Sequence, residues 1–430
     1  MGDKLTIARY FIETRWLRRL NAHTAVERLQ NRRIRKHFAF LRENSPYYAK
    51  LPQVKTIDDL KQLPIIDKAT MMRSFDRMNT RNLRKDKALK IAIESERTRD
   101  FQPTYNGVSV GLSSGTSGHR GLFVISDYER CAWAGAVLAK FLPQGKLSGH
   151  RIAFFLRANN NLYETINSNV ITFRYFDIYD GMQKNLETLV DYRPTVLVAP
   201  PSVLGIIAEQ VKSRRLSIRP QKIISVAEVL THQDEIRFKK IFKQDIIFQA
   251  YQCTEGFLAH TCYRGSLHLN EDIVYIEKEF IDERRFIPII TDFRRTTQPI
   301  VRYRLNDILV LSDKKCACGN ATTVIDRIEG REDDIFLFKD KDGGVVQVFP
   351  DIVGRCLLYT KNIKEYRVVQ TAYDTAVVYL ENSSKETRRT IIKEFERLAE
   401  KMSFVAPKLR FEQYELDLGR KLKRIERQFK

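Results

Sequence analysis

Between residues 108 and 252, short apolar runs alternate with amphipathic stretches. Runs such as Ile152–Leu156 and Val196–Ala199 have the length and composition of buried strands, and the segments between them are typical of helices. Repeated strand–helix units fold into a mostly parallel sheet covered by helices, which binds ligands at the carboxyl ends of its strands. The alternation therefore predicts a large, multi-layered α/β domain with a mostly parallel sheet. The predicted strands are 108–112, 122–125, 152–156, 196–199, 222–226 and 246–249, and the predicted helices are 24–43, 126–142, 182–192, 202–212 and 232–242.

A run of small and hydroxyl-bearing residues separates the first two predicted strands. Its glycines allow the backbone to close over a ligand, its hydroxyl and N–H groups can donate to an oxygen-rich anion, and Arg120 adds charge-assisted donors. The run contains neither a Walker A motif nor a dinucleotide fingerprint. We predict a triphosphate-binding loop, with a flexible linker as the alternative. The predicted phosphate-binding residues are Ser113, Ser114, Gly115, Thr116, Ser117, Gly118 and Arg120.

The composition restricts partners and compartment. The formal net charge is +21, which favours anionic ligands such as ATP, CoA or an acidic carrier protein, and no nucleic-acid-binding signature accompanies it. Early basic residues interrupt every apolar run that could form a signal peptide, and no run approaches the roughly 18 residues of a membrane span. We therefore expect a cytoplasmic protein. Its six cysteines are expected to be reduced thiols or metal ligands.

The Ser/Gly loop resembles the phosphate loop of the acyl-adenylate-forming enzymes, in particular the branch of phenylacetate–CoA ligases and coenzyme F390 synthetases. In that branch a lysine follows the loop, whereas this chain has His119, which leaves the basic side chain of the loop to Arg120. The lead-in segments Asn44–Tyr48 and Leu63–Lys68 also resemble the N-terminal part of that branch. The resemblance implies the adenylate-forming enzyme fold and the use of ATP and Mg²⁺.

Two motifs after predicted strands are similar to family motifs of the large domain. Ser225–Val229 resembles the Gly-Ala-Glu-Pro segment that borders the adenine and acyl pockets, which implies nucleotide-binding roles for Ala227 and Glu228. Tyr251-Gln-Cys-Thr-Glu255 resembles Tyr-Gly-x-Ser/Thr-Glu. That likeness implies that Tyr251 stacks near adenine, that Thr254 contacts the phosphate side and that Glu255 binds Mg²⁺.

Three further segments resemble the family pattern near the domain junction and in the C-terminal part. Val301–Asp307 resembles the segment whose final carboxylate, here Asp307, bonds the ribose. Ile328–Asp334 resembles the junction, which implies that Arg331 reaches the nucleotide and that Asp333 is the hinge between a domain of residues 1–332 and a small α+β lid of residues 333–430. The basic tail implies a catalytic lysine for adenylation, for which Lys421 is the first candidate and Lys423 the second.

A metal site is predicted from cysteine spacing. Cys316 and Cys318 are two residues apart in a turn, so both thiols can face one ion, and structural Zn²⁺ takes four such ligands. Cys262 and His268 flank a second turn, and the same arrangement in the resembled branch implies that these four residues form the site. His260 and Cys253 are substitutes, and ordinary reduced thiols remain the alternative.

The resemblance implies a two-step reaction. A carboxylate attacks the α-phosphate of ATP to give an acyl-adenylate and pyrophosphate, and CoA or a carrier-protein thiol then displaces AMP. One alternative is an amide- or ester-forming ligase of the F390 synthetase type, which would use an amine or hydroxyl acceptor. The other is a non-catalytic nucleotide- or polyanion-binding protein, suggested by the basic charge and by His119. A homodimer is the default expectation.

Overall fold

The computed structural model describes residues 3–17, 20–113, 121–143, 145, 147–157, 167, 170–358, 360, 363, 365–381 and 383–429. By internal contacts the chain divides into a large unit, Met1–Leu305 with Val310–Arg327, and a small unit, Asn306–Leu309 with Ile328–Lys430. The predicted hinge near Asp333 lies in the small unit close to this division, and its role as a hinge stays a prediction.

The helices of the large unit include four that were not predicted, one at the start of the chain and three between residues 57 and 98. They are Asp3–Leu17 (α1), His23–Asn44 (α2), Ile57–Lys61 (α3), Lys68–Met78 (α4), Lys85–Thr98 (α5), Asp127–Phe141 (α6), Met182–Tyr192 (α7), Pro201–Lys212 (α8) and His232–Phe242 (α9). No helix among the described residues combines the length and the apolarity that crossing a bilayer requires.

The first fifteen strands among the described residues form two sheets. They are Thr104–Tyr105 (β1), Val108–Leu112 (β2), Leu122–Ser126 (β3), His150–Leu156 (β4), Ile171–Asp177 (β5), Val196–Ala199 (β6), Lys222–Val226 (β7), Phe248–Gln252 (β8), Phe257–Thr261 (β9), Leu267–Leu269 (β10), Val274–Phe280 (β11), Arg285–Asp292 (β12), Tyr303–Arg304 (β13), Asp307–Leu311 (β14) and Val324–Arg331 (β15). The strands β1, β2 and β3 form a small antiparallel sheet, and the others belong to a large one.

The large sheet has a parallel part and an antiparallel part. The order β5-β4-β6-β7-β8 is parallel throughout, as the strand–helix alternation predicts. The strands β9 and β10 continue the sheet in antiparallel pairing. Because β6 is buried along its whole length, the sheet is covered on both faces there. The predicted α/β fold is confirmed, with antiparallel strands extending the parallel core.

The start of α6 shows how local sequence sets an element. Ser126 accepts from the backbone N–H of Glu129 at 3.4 Å, and the Glu129 carboxylate accepts from the N–H of Ser126 at 2.7 Å. This reciprocal capping box satisfies two N–H groups that the first turn of a helix leaves unbonded. The same carboxylate accepts from the N–H groups of Thr296 and Thr297 at 2.6 and 2.8 Å, which ties the helix start to a distant loop.

The small unit has its own hydrophobic core. Phe336, Phe338, Ile391 and Phe395 are buried in it, and the rings of Phe338 and Phe404 stack with centroids 4.5 Å apart. The remaining elements of the small unit are Phe336–Lys339 (β16), Val345–Val348 (β17), Pro350–Leu358 (α10), Tyr366–Ala372 (β18), Thr375–Leu380 (β19), Lys385–Met402 (α11), Lys408–Gln413 (β20) and Ile425–Arg427 (β21). A four-stranded sheet of order β20-β19-β18-β21 pairs β19 and β18 antiparallel and the outer strands parallel.

Candidate active site

Two of the predicted motifs follow neighbouring parallel strands at the same edge of the large sheet. The strands β7 and β8 pair with Val226 opposite Ala250, so the residues after them leave the sheet side by side. Ala227 and Glu228 follow β7, and Thr254 and Glu255 follow β8. The carboxyl edge of parallel strands is where α/β folds bind ligands.

The Glu228 carboxylate is fully buried and engaged at both oxygens. Arg157 donates to one oxygen at 2.7 Å, and the backbone N–H of Ser202 donates to the other at 3.1 Å. Ala227 adopts a φ of +66°, which is uncommon for a residue with a side chain and turns the chain sharply after β7. We infer that Glu228 shapes the edge of the site and that its side chain is not available as a ligand. Arg157 was not predicted, because nothing in the local sequence marks it as the partner of Glu228.

The Thr254–Glu255 pair makes other contacts than Glu228 does. The Thr254 hydroxyl donates to the Glu255 carboxylate at 2.8 Å, and the Arg295 guanidinium donates to the Thr254 carbonyl at 2.6 Å. Tyr303 is buried beside Glu255, and its burial together with that carboxylate raises the pKa of the phenol far above its usual value. Arg295 and Tyr303 are further residues that position this pair. Tyr251, two residues before Cys253, is largely buried in β8.

The stem of the Ser/Gly loop is a closed hairpin. Leu112 pairs with Leu122, the Ser113 N–H donates to the Gly121 carbonyl at 2.7 Å, and the Ser113 hydroxyl accepts from the Gly121 N–H at 2.7 Å. A Cβ on Gly121 would lie 2.8 Å from Cε of Lys68, so Lys68 packs directly over the glycine. The predicted residues Ser114, Gly115, Thr116, Ser117, Gly118 and Arg120 lie outside the described residues, as does His119.

An apolar cavity of about 110 Å³ lies in the large unit, between α6 and the parallel strands. Ala227 and Gln252 line it, so it reaches the edge at which the two motifs leave the sheet. The Trp133 indole donates to the Gln252 amide oxygen at 2.8 Å, so two polar groups of the wall satisfy each other. The rest of the lining is hydrocarbon and aromatic, including Phe141, Phe154, Phe173, Val198 and Ile224.

Four of the residues predicted to serve the nucleotide and the lid have contacts within the small unit. The Arg331 guanidinium lies 3.3 Å from the Asp307 carboxylate, and the Asn306 amide donates to Asp333 at 2.9 Å. Lys423 forms an ion pair with the buried Asp334 at 3.0 Å. Burial raises the pKa of Asp334, while the Lys423 ammonium acts in the opposite direction. Lys421, two residues away, is half-buried.

The four predicted metal ligands of the large unit form one cluster. The ligand atoms of Cys262, His268, Cys316 and Cys318 all lie within 4.8 Å of one another. The sulfurs of Cys262 and Cys316 are 3.6 Å apart, and the Cys318 sulfur lies 3.4 Å from Nε2 of His268. A disulfide would need about 2.0 Å, whereas two thiolates on one tetrahedral Zn²⁺ lie about 3.8 Å apart.

The second ring nitrogen of His268 supports the same arrangement. Nδ1 lies 3.0 Å from the Thr322 hydroxyl and 3.2 Å from the Thr322 carbonyl, which orients Nε2 toward the thiols. The substitute His260 instead contacts Asn270 through Nδ1 at 2.7 Å, and the Cys253 sulfur lies 3.7 Å from the Gly256 carbonyl. The donor set of three thiols and one imidazole therefore fits a structural Zn²⁺.

Comparison with known proteins gives one sequence relative and several solved structures. Protein CapK of Staphylococcus aureus is 23% identical over 415 residues, which cover 89% of this chain and 84% of that protein. A 2-hydroxyisobutyryl-CoA ligase in complex with 2-HIB-AMP superposes with a TM-score of 0.70 at 15% identity, over 96% of this chain and 91% of that chain. No protein-family model matches the chain.

Two other solved structures are similar over a smaller share. A fatty acyl-adenylate ligase, from E. coli or L. pneumophila, gives a TM-score of 0.53 at 14% identity over 73% of this chain and 68% of that chain. The anthranilate CoA ligase AuaEII in complex with anthranoyl-AMP gives 0.52 at 13% identity over 73% of this chain and 65% of that chain. At these identities the likeness is one of fold.

Proposed function

We propose that this chain, which has the fold of the acyl-adenylate-forming enzymes, activates a carboxylic acid with ATP. A carboxylate oxygen attacks the α-phosphorus, the bond from that phosphorus to the bridging oxygen of pyrophosphate breaks, and acyl-AMP and pyrophosphate result. The observation that carries the proposal is that the Thr254–Glu255 pair and an apolar cavity share one sheet edge, since Gln252 lines the cavity two residues before Thr254. A reaction of this type needs positioning and charge stabilisation and no side-chain nucleophile.

The proposed roles follow from chemistry available to each group. Glu255 and the Thr254 hydroxyl supply hard oxygen ligands that suit Mg²⁺, which neutralises phosphate charge when bound. The loop from Ser113 to Arg120 binds the phosphates, and Ala227 and Tyr251 border the nucleotide. In the small unit, Asp307 binds the ribose, and Arg331 is held beside it to reach the nucleotide.

We assign the adenylation lysine to Lys421 and a structural role to Lys423. The Lys423 ammonium is paired with a buried carboxylate at 3.0 Å, and moving it would leave Asp334 buried without its cation. Lys421 is the first candidate in the basic tail that resembles the family pattern, and its proposed role is to stabilise negative charge as the phosphate reacts. The small unit is proposed to act as the lid, with the hinge near Asp333.

The cavity indicates the class of acid. Among the described residues that line it, none has an ionisable side chain, and the two polar groups, on Trp133 and Gln252, are bonded to each other. Its volume of about 110 Å³ approaches that of an engineered cavity of about 150 Å³ that stays dry and binds benzene. We propose that the acid carries an uncharged apolar group of that size, such as a phenyl or a short branched alkyl group.

For the second step we propose a thiol acceptor, CoA or a carrier protein. The support is the likeness to 2-hydroxyisobutyryl-CoA ligase, which has been solved with 2-HIB-AMP and CoA, and the formal charge of +21, which favours an anionic acceptor. AMP is displaced when the thiol sulfur bonds to the acyl carbon.

We also propose that Cys262, His268, Cys316 and Cys318 hold a structural Zn²⁺. Four protein ligands leave no position for water or substrate, so the ion would tie the turn at Cys316 to the strands β9 and β10. Metal analysis of the purified protein should give one zinc per chain. Replacing Cys318 with Ser should remove the zinc and lower the melting temperature, whereas Cys356→Ser, at a buried cysteine of the small unit, should keep the zinc. A full zinc complement in the Cys318 variant would contradict the site.

The experiment for the proposed activity is acid-dependent exchange of labelled pyrophosphate into ATP with Mg²⁺. The panel should contain small aryl acids, short branched acids, long-chain acids and charged amino acids. We expect exchange with the first two groups and little with the last two. Replacing Phe154 with Ala enlarges the cavity and should shift the preference toward larger acids by about 10-fold. No exchange with any acid, while ATP still binds, would contradict the proposed reaction.

A further inference from the structure

The N-terminal helix α1 carries three large apolar side chains on its solvent side, while its Leu17 is buried. Leu5, Ile12 and Trp16 are 63%, 66% and 65% exposed, whereas Thr6 and Thr14 are buried. At 100° per residue the three apolar side chains fall on one stripe. A surface helix normally turns such a stripe toward the core. An exposed apolar stripe of this kind marks an interaction surface.

Close packing fixes this orientation. A Cβ on Gly135 of α6 would lie 2.4 Å from the Ile7 carbonyl oxygen and 2.9 Å from the Phe11 nitrogen, so the two helix backbones nearly touch. The hydroxyls of Tyr10 and Tyr128 are 2.8 Å apart, and the Arg294 guanidinium contacts the Thr14 hydroxyl at 3.5 Å. Rotating α1 to bury Leu5, Ile12 and Trp16 would break all of these contacts.

Basic residues border the stripe. On the helix, Lys4 lies along one edge of the stripe and Arg9 along the other, and both are exposed. Of the two acids of α1, Glu13 is paired with Arg33 at 2.5 Å, and Asp3 stands at the first helical residue. Arg18 and Arg19 follow in the sequence, outside the described residues. The surface therefore combines apolar and cationic side chains.

We propose that α1 docks this protein on an anionic lipid surface. Helices that lie in the membrane interface carry an apolar stripe that includes Trp or Leu and is flanked by Lys and Arg, which attract anionic headgroups. From Leu5 to Trp16 the stripe extends roughly 16 Å, three turns of helix lying flat. A symmetric pairing of two copies through the stripe would bring two sets of cations together, which favours a lipid partner over a second copy. The inference does not depend on the proposed reaction.

The first test is flotation of the full chain with vesicles. The protein should float with phosphatidylcholine vesicles that contain about 40% phosphatidylglycerol, stay unbound with phosphatidylcholine alone, and dissociate at about 1 M salt. The double variants I12E/W16E and K4E/R9E should each reduce the bound fraction at least 10-fold. The matched control is I93E/I236E, which places two acids at apolar residues that are 56% and 54% exposed on other helices. This control should bind as the native protein does.

The second test measures the fluorescence emission of Trp16. The chain has two tryptophans, and Trp133 is hydrogen-bonded beside the cavity, so in a Trp133→Phe variant the emission comes from Trp16. Its emission should shift to shorter wavelength on addition of the anionic vesicles only. Because the substituted side chains are exposed, I12E/W16E should keep the native melting temperature.

Three results would overturn the proposal. One is that the native chain fails to bind the anionic vesicles. Another is that I12E/W16E and I93E/I236E lose binding equally, which would indicate a general charge effect. The third is that light scattering shows a dimer that I12E/W16E dissociates while no vesicle binding occurs, since a second copy would then cover the stripe.

Discussion

Two glutamates at neighbouring strand ends are held in opposite ways. After β7, Glu228 is fully buried and both of its oxygens accept hydrogen bonds, from Arg157 and from the backbone of Ser202. After β8, Glu255 is half-exposed and is bonded to the Thr254 hydroxyl and to Tyr303. An ionised carboxylate has about four acceptor positions, so Glu255 keeps capacity for a cation.

The difference separates residues that build the site from residues that perform chemistry. A carboxylate locked by a guanidinium cannot bind a metal without breaking a buried ion pair, whereas one bonded to two hydroxyls can. A second comparison is between Lys423, which is paired with buried Asp334, and Lys421, to which we assign the chemical role. The substitutions at Glu228, Glu255, Lys421 and Lys423 each test one side of this contrast.

The largest effect is expected for Glu228→Ala. Removing the carboxylate leaves the Arg157 guanidinium, whose side chain is 14% exposed, without its partner. Breaking a buried ion pair on one side costs about 3–5 kcal/mol of unfolding free energy, measured by urea titration. The control is Glu209→Ala, because the partly exposed pair of Glu209 with Arg237 should contribute under about 1 kcal/mol. Equal losses of unfolding free energy in the two variants would contradict the structural role assigned to Glu228.

Glu255→Gln should remove activity and leave stability unchanged. The substitution keeps the shape and a hydrogen bond to Thr254 but removes the charge that we propose holds Mg²⁺. Acid-dependent pyrophosphate exchange should fall at least 100-fold, which corresponds to about 2.7 kcal/mol. Unfolding free energy should change by less than about 0.5 kcal/mol. A variant that exchanges at the native rate would contradict the assigned role.

Substitutions of the two lysines should likewise differ, one in activity and the other in stability. Lys421→Ala should lower the rate of acyl-adenylate formation by about 50-fold, because one charge-stabilising group is lost, and should leave the fold intact. Lys423→Ala leaves the carboxylate of Asp334 buried without its cation, so its main effect should be a lower melting temperature. The reverse pattern would exchange the two roles.

His37 is a buried polar group whose pKa is lowered by burial. It is fully buried in α2, its Nε2 has no hydrogen-bond partner in the part of the chain that the structure describes, and burial lowers its pKa to about 4. Because the folded pKa lies below the unfolded value of about 6.5, the neutral form stabilises the fold at pH 7, and this stability declines as the pH falls below 6.5. Unfolding free energy should drop by about 2 kcal/mol more between pH 7 and 5 in the native protein than in His37→Gln. An equal loss of unfolding free energy between pH 7 and 5 in both proteins would show that burial alone does not set the pKa of His37.

Features set by neighbouring residues could be predicted well from the sequence. The helix predicted at 126–142 is observed at Asp127–Phe141, where Ser126 and Glu129 form a capping box, and the predicted strand 222–226 has the observed bounds. The strand predicted at 246–249 lies instead at Phe248–Gln252, because an apolar run does not mark where pairing with β7 begins. The helix α1 escaped prediction because three of its large apolar side chains face outward while buried Leu17 lies on a different side, so its sequence shows no single core-facing stripe.

Contacts distant in the chain could not be predicted. Arg157 and Glu228 are 71 residues apart, and Arg295 reaches Thr254 across 41 residues. Such pairs depend on the sheet order, which periodicity does not specify. The four proposed zinc ligands are an exception, since the Cys316–Cys318 spacing and the resembled branch together identified residues that the fold brings within 4.8 Å. That they bind zinc stays a prediction, as do the roles of the other site residues.

The most direct measurement is detection of the acyl-adenylate itself. The purified chain, in excess over ATP and a small apolar acid such as an aryl acid, would be quenched after a single turnover with Mg²⁺ and no acceptor thiol, and the products analysed by mass spectrometry. We expect the acyl-AMP of the added acid together with pyrophosphate from the native protein, and neither from Glu255→Gln. Bound but uncleaved ATP for every acid of the panel would contradict adenylation at this site and would favour a protein that only binds nucleotide.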